Sequence, residues 1–114
     1  LFENAAFAMF DILADLEGIK GEITQDFELT ASNHEELLIS WLDELLYSFY
    51  AKNIIFYKFE VMELSEDVIG AKAFGRSVSE NRNRLKTEIK AATYYNLKII
   101  KKDDYYEVEI IFDV

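Results

Sequence analysis

The sequence predicts an α+β two-layer sandwich, with two amphipathic helices packed on a largely antiparallel sheet. Three observations predict it. Apolar residues recur at three- and four-residue steps in two separate stretches, the pattern of a helix with one buried face. Most of the remainder alternates apolar and polar residues in about five runs, the pattern of half-buried strands joined as a meander. Half of the 114 residues (51%) are hydrophobic and 15% are aromatic, which suits a closed core and is too much for a disordered chain. The expectation is one domain over residues 1–114.

The first helix begins at the first residue. Phe2, Ala5, Ala6, Met9, Leu13 and Leu16 share a face, with Asn4, Asp11 and Asp15 opposite. Gly18 and Gly21 are expected to end it. No capping residue precedes it, so the expectation is a chain whose true beginning lies upstream. Ile23 to Thr30 alternates as a half-buried strand, with Ile23, Phe27 and Leu29 on one side and Thr24, Asp26 and Glu28 on the other.

The second helix has the clearest signature. Asn33 followed three residues later by Glu36 makes a capping box. Leu37, Leu38, Trp41, Leu42, Leu45, Leu46 and Phe49 form a wide apolar stripe, with Glu36, Ser40 and Asp43 facing water. Burying that stripe contributes on the order of 10 kcal/mol before conformational entropy is charged against it.

After Asn53 strands take over. Ile55 to Val61 alternates, and Val68 to Phe74 follows the acidic turn Ser65-Glu66-Asp67. Gly75 to Thr87 is polar and basic, and reads as a loop or a short, poorly formed helix. Glu88 to Ile100 and Tyr105 to Phe112 read as two strands with Lys101 to Asp104 at the hairpin tip. In the last strand Tyr106, Val108, Ile110 and Phe112 share one face, and Glu107, Glu109 and Asp113 share the other with Tyr105 and Ile111.

Composition excludes several classes of function. There is no cysteine, hence no disulfide, zinc-thiolate site or cysteine nucleophile. There is no proline and there are only four glycines, so phosphate-cradling glycine loops are absent. No apolar run reaches the ~18 residues of a membrane span. The opening apolar stretch carries Glu3, Asn4 and Asp11 and no basic leader, unlike a signal peptide, so a cytoplasmic location is expected. A formal charge of −10 argues against general nucleic-acid affinity.

That average hides an asymmetry. Leu1 to Ala71 holds fifteen acidic residues against Lys20, Lys52 and Lys58. Lys72 to Lys102 holds nine basic residues, Arg76, Arg82, Arg84, Lys86 and Lys90 among them, against Glu80 and Glu88. The segment is either a solvated face paired with the acidic majority or a docking surface for a phosphate or a partner, and the sequence leaves both readings open.

Candidate chemistry is sparse. His34 is the only histidine, so no histidine-based triad assembles, and its place in the first helical turn suits a solvated residue. Glu35 with Glu36, and Asp43 with Glu44, splay around a helix and do not converge. Glu107 and Glu109 lie on one strand face, and Asp113 beside the Val114 carboxylate adds hard oxygen ligands of the kind calcium or magnesium takes. The basic loop lacks interleaved aromatics for base stacking, and Tyr94 and Tyr95 beyond it alternate to opposite faces. Lys90, between Ile89 and Ala91, is either a snorkelling edge residue or a single cation aimed at a phosphate or a carboxylate.

In order and spacing, the opening LFENAAFAMFDIL, the helix EELLISWLDELLYSFY with the strand IIFYKFEV, the segment LKTEIKAATYYNLKI and the ending VEIIFDV resemble the archease family over essentially the whole chain. The resemblance implies a non-catalytic protein cofactor of the GTP- and metal-dependent tRNA-splicing RNA ligase, promoting its guanylylation and its multiple turnover. It implies a divalent cation, calcium first with magnesium or manganese as alternatives. In the family, the ligands are an aspartate of an N-terminal HTAD-type motif together with the aspartate and last residue of the tail. Asp113 and Val114 match the tail pair, and the N-terminal motif has no counterpart here, which agrees with a chain lacking its start. Lys90 matches the family lysine of the KAxTY-type segment. Tyr95 stands where a histidine is frequent, and Asn83 is the nearest candidate for a second one.

The leading expectation is therefore a ligase activator with an acidic, metal-binding tail at Asp113 and Val114. Its partner-facing cations would be Lys90, Arg76, Arg82, Arg84 and Lys86. Transfer RNA would be involved only indirectly, with neither DNA nor membrane as a partner. The alternatives are a stand-alone RNA-binding or chaperone-like module using residues 72–102 and, last, a small metal-dependent hydrolase using Glu107, Glu109 and Asp113.

Overall fold

In the computed structural model of the chain, residues 1–80, 82–93 and 97–114 are described. The order is α1 (Phe2–Leu13), β1 (Ile23–Thr30), α2 (His34–Lys52), β2 (Ile54–Leu64), β3 (Val68–Ser77), two 3₁₀ turns (Val78–Glu80 and Arg82–Arg84), β4 (Ala91–Thr93), β5 (Ile99–Lys101), β6 (Tyr106–Val108) and β7 (Ile111–Asp113). β1, β3 and β2 form an antiparallel sheet in that order, and β4–β7 and β5–β6 are two further antiparallel pairs.

The three-stranded sheet follows from its alternation. β3 is central, with Ile69, Ala71 and Ala73 buried between half-buried neighbours, and it pairs Phe27 with Ala71 and Leu29 with Ile69. Bulges at Tyr57 and Met62 bend β2 against it. β3 continues past its expected end at Phe74 through Gly75, a position with no room for a side chain: a Cβ there would lie 2.6 Å from both Ile54 Cγ2 and the Ile55 carbonyl oxygen. Gly21 crosses directly over the Gly75 carbonyl and is bare for the same reason. One face of the sheet meets the helices. The other carries Lys72 against Asp26 (3.9 Å) and Lys58 over the Phe74 ring (5.2 Å).

Aromatic rings dominate the core. Phe10 packs edge-on to Phe56 (5.5 Å), and Phe27 packs edge-on to Trp41 (5.3 Å). The buried Trp41 indole donates to the Phe2 carbonyl at 3.0 Å, joining α2 to the start of α1. Ser48, a buried polar side chain on α2, accepts from Gln25 of β1 at 2.9 Å. α2 is capped as its sequence indicates, with the Asn33 side chain accepting from the Glu36 N–H at 2.8 Å. Asn53 ends it in the left-handed conformation (φ 58°).

Three expectations are corrected. α1 stops at Leu13, well before Gly18: Ala14 is extended and bridges Leu85, so a competing backbone partner ends the helix rather than a glycine. Phe10, which the predicted stripe omitted, is fully buried. The two long C-terminal strands are each divided. β4 pairs with β7 and β5 with β6, and five residues separate β4 from β5 where two separate β6 from β7, so the pairs do not share one register. Tyr94 and Tyr95 lie outside the described residues.

Candidate functional site

The basic segment is the feature of charge to be located first. α1 ends with no basic residue in its last turn, so its terminal carbonyls need donors from elsewhere. The segment 84–87 supplies them. The Lys86 and Thr87 N–H groups donate to the Leu13 and Ile12 carbonyls at 2.8 and 3.2 Å, and Asp15 N–H donates to the Arg84 carbonyl at 2.8 Å. Lys86 Nζ reaches the Asp11 carbonyl at 2.8 Å, and the Arg84 guanidinium bonds the carbonyls of Asp15 and Glu17. Arg76 Nη1 donates to the Lys20 carbonyl at 3.0 Å.

Cations at the negative end of a helix, in a stretch bearing Asp11, Asp15 and Glu17, complement its macrodipole. Of the five basic residues singled out as partner-facing, Arg76, Arg84 and Lys86 are thus engaged within the chain. Arg82 and Lys90 are exposed, and neither side chain makes a hydrogen bond or ion pair among the described residues.

Asp113 and Val114 lie at the end of β7, both exposed, Val114 by 66%. Asp113 pairs with Ala91, and its carbonyl accepts from the Lys90 N–H at 2.6 Å. The tail and the lysine singled out from sequence therefore belong to one strand pair. Glu107 and Glu109 do not join them. Among the described residues no group of three or more acidic or histidine side chains is placed to hold a metal ion, and Glu107 in β6 and Asp113 in β7 lie on separate strand pairs. Asp113 and Val114 offer hard oxygens of suitable chemistry, but they make only part of the six to eight that calcium takes, roughly. A groove of about 700 Å³ flanks this tail, between Asn4, Ala5 and Ala8 of α1 and Asp104, Glu107 and Phe112.

His34 is not a solvated residue. It is half-buried, its ring 5.1 Å from Phe2 and stacked at 6.3 Å on Tyr106.

The contacts that sequence reading missed come from α2. Asp43 Oδ1 accepts from the Ala92 N–H at 3.1 Å. The Tyr50 hydroxyl donates to the Ile89 carbonyl at 2.8 Å and accepts from the Ile89 N–H at 3.2 Å. Separations of 49 and 39 residues leave no local signal for either pairing. Burial against β4 raises the Asp43 carboxyl above its ordinary pKa of 3.8; the Ala92 bond opposes the shift and the Glu44 charge adds to it. Burial raises Tyr50 likewise, with the Ile89 bond opposing and Glu88 adding.

Residues 1–114 match the family model of the Archease protein family (MTH1598/TM1083). The chain is 37% identical over 118 residues to a protein archease of Methanosarcina mazei, covering 100% of this chain and 81% of that one. It is 38% identical to a protein archease of Methanosarcina acetivorans with the same coverage. The solution structure of Methanobacterium thermoautotrophicum protein 1598 superposes with a TM-score of 0.77 at 28% identity, covering 99% of this chain and 82% of that one.

Proposed function

The chain belongs to the archease family, and from that premise we propose that it is a protein cofactor of the GTP-dependent tRNA-splicing RNA ligase, promoting guanylylation and multiple turnover without catalysing a reaction itself. Family membership over residues 1–114 is the observation that carries this reading, and it supports a ligase-activating role in general. The finer mechanism is ours. Asp113 and Val114 contribute oxygens to a divalent cation, calcium first, with magnesium or manganese as alternatives, and the remaining ligands come from outside this pair. Lys90, beside the tail on the paired strand, and Arg82 on its 3₁₀ turn are the cations left to face the ligase.

The physical case rests on charge. A bound cation relieves repulsion between the tail carboxylates and presents a positive centre on an otherwise acidic protein. That centre, with Lys90 beside it, suits contact with the acidic, metal-binding active site of a nucleotidyl-transferring ligase. The test adds the protein to cognate ligase with GTP and Mn²⁺ and compares turnover with an Asp113→Ala variant. Loss of stimulation of at least roughly tenfold is expected, the scale at which losing a metal-site contact is felt. Equal stimulation by both proteins removes the tail from the mechanism, and stimulation by neither removes the ligase reading.

A further inference from the structure

Among the described residues, β4 and β7 are three residues each and pair only with one another, and a two-stranded pair of that size is marginal alone. Something must hold it at a defined place, since it carries both Lys90 and Asp113 near its ends. Apolar burial contributes, as Ile89 and Ala92 are buried. A buried face already disfavours a one-residue slip, and a directional hydrogen bond to backbone adds a fixed point along the strand.

Two side chains of α2 make such bonds, and their spacing matches. Asp43 and Tyr50 are seven residues apart, close to two turns, so they share a helix face and stand about 10.5 Å apart along the axis. Their targets, Ala92 in β4 and Ile89 two residues before that strand, are three residues apart, a span that an extended chain covers in about 10 Å. The segment 89–92 runs antiparallel to the helix and is bonded at both of its ends. Between the anchors lie Lys90, whose N–H donates to the Asp113 carbonyl at 2.6 Å, and Ala91, the register partner of Asp113.

We propose that Asp43 and Tyr50 are positioning residues for the tail: they fix the backbone of residues 89–92 on α2 and thereby hold Asp113 and Lys90 in the arrangement that binds the cation and meets the ligase. The functional half rests on the reading under Proposed function. The anchoring half does not, and the experiment separates them.

Asp43→Leu removes the acceptor at similar size, Asp43→Asn keeps a carbonyl acceptor, and Tyr50→Phe removes the second anchor. Each variant is compared with the parent by thermal melting, by amide hydrogen exchange at Lys90 and Ala92, by calorimetric titration with Ca²⁺, and by ligase turnover. Asp43→Leu is expected to lose protection at both amides, and its Ca²⁺ affinity and ligase stimulation are expected to fall roughly tenfold, the usual scale for a group supporting a metal ligand. Asp43→Asn is expected to restore all three. Parental affinity and stimulation in a folded Asp43→Leu protein overturn the proposal, and so does an Asn variant as impaired as the Leu variant. If Asp43→Leu does not fold, Tyr50→Phe decides by the same criteria. If the parent itself neither binds Ca²⁺ nor stimulates the ligase, the functional reading falls. Amide protection at Lys90 in the variants then decides the anchoring: its loss supports the anchor, and its persistence overturns it.

Discussion

Asp43 shows how a single side chain is held against its own preference. Its carboxyl is pushed above the ordinary value of 3.8 chiefly by burial against β4. A raised acid pKa means that folding favours the protonated form. The associated stability is full below the ordinary aspartate value and is lost as pH rises through the folded-state value. At neutral pH the ionised group, which the fold favours less than the protonated form, accepts the Ala92 N–H. Asp43→Asn is expected to be at least as stable as the parent at pH 7, by thermal melting. Its relative stability should fall as the pH approaches 3.8, and a pH-independent difference would contradict this origin. Tyr50, raised from 10.0 mainly by burial, keeps the proton it donates to Ile89 across the neutral range. Neither role was visible in the sequence, where Asp43 reads as one more water-facing acid on a helix. What distinguishes it is a backbone N–H brought from 49 residues away.

At the scale of elements, legibility followed locality. α2 was readable end to end because its cap, its apolar stripe and its stop are all written within a few residues, and Asn33→Ala is expected to cost about 1 kcal/mol in denaturant unfolding. β1 was readable because its alternation fits one buried face. The end of α1 was not, because Leu85, Lys86 and Thr87 compete for its last turn from far along the chain. The tail strands were not either: alternation continues through Glu109 and Ile110, so nothing local marks the change of partner there. The basic loop takes its meaning at this scale as well, as a set of donors for the carbonyl end of α1. Arg84→Ala and Lys86→Ala are each expected to lose about 0.3–1 kcal/mol of stability, with faster amide exchange at Ala14 and Asp15. Unchanged exchange there would show that the cations do not support the helix end.

For the whole molecule, the tail pair Asp113 and Val114 enters as an expectation from the family resemblance, while its pairing with the strand beside Lys90 emerged only from folding. The fold places Lys90 beside Asp113 and ties the Arg84 and Lys86 side chains to the carbonyls of Asp11, Asp15 and Glu17, so part of the basic segment of a chain of net charge −10 is taken up within the chain instead of contributing to a continuous basic surface. An isolated RNA-binding module needs such a surface, and its affinity falls steeply with salt in proportion to the phosphates it contacts. Filter binding with transfer RNA is accordingly expected to show no tight complex with a steep log–log salt slope, and finding one would favour the RNA-binding alternative. The central claim proposed here is that this protein promotes guanylylation of the ligase and its multiple turnover. It is tested most directly by following ligase guanylylation with labelled GTP, and ligation beyond one product per ligase, with and without the protein. The account predicts faster guanylylation and more than one product per ligase only when the protein is present. Guanylylation and turnover that proceed equally well without the protein would contradict it.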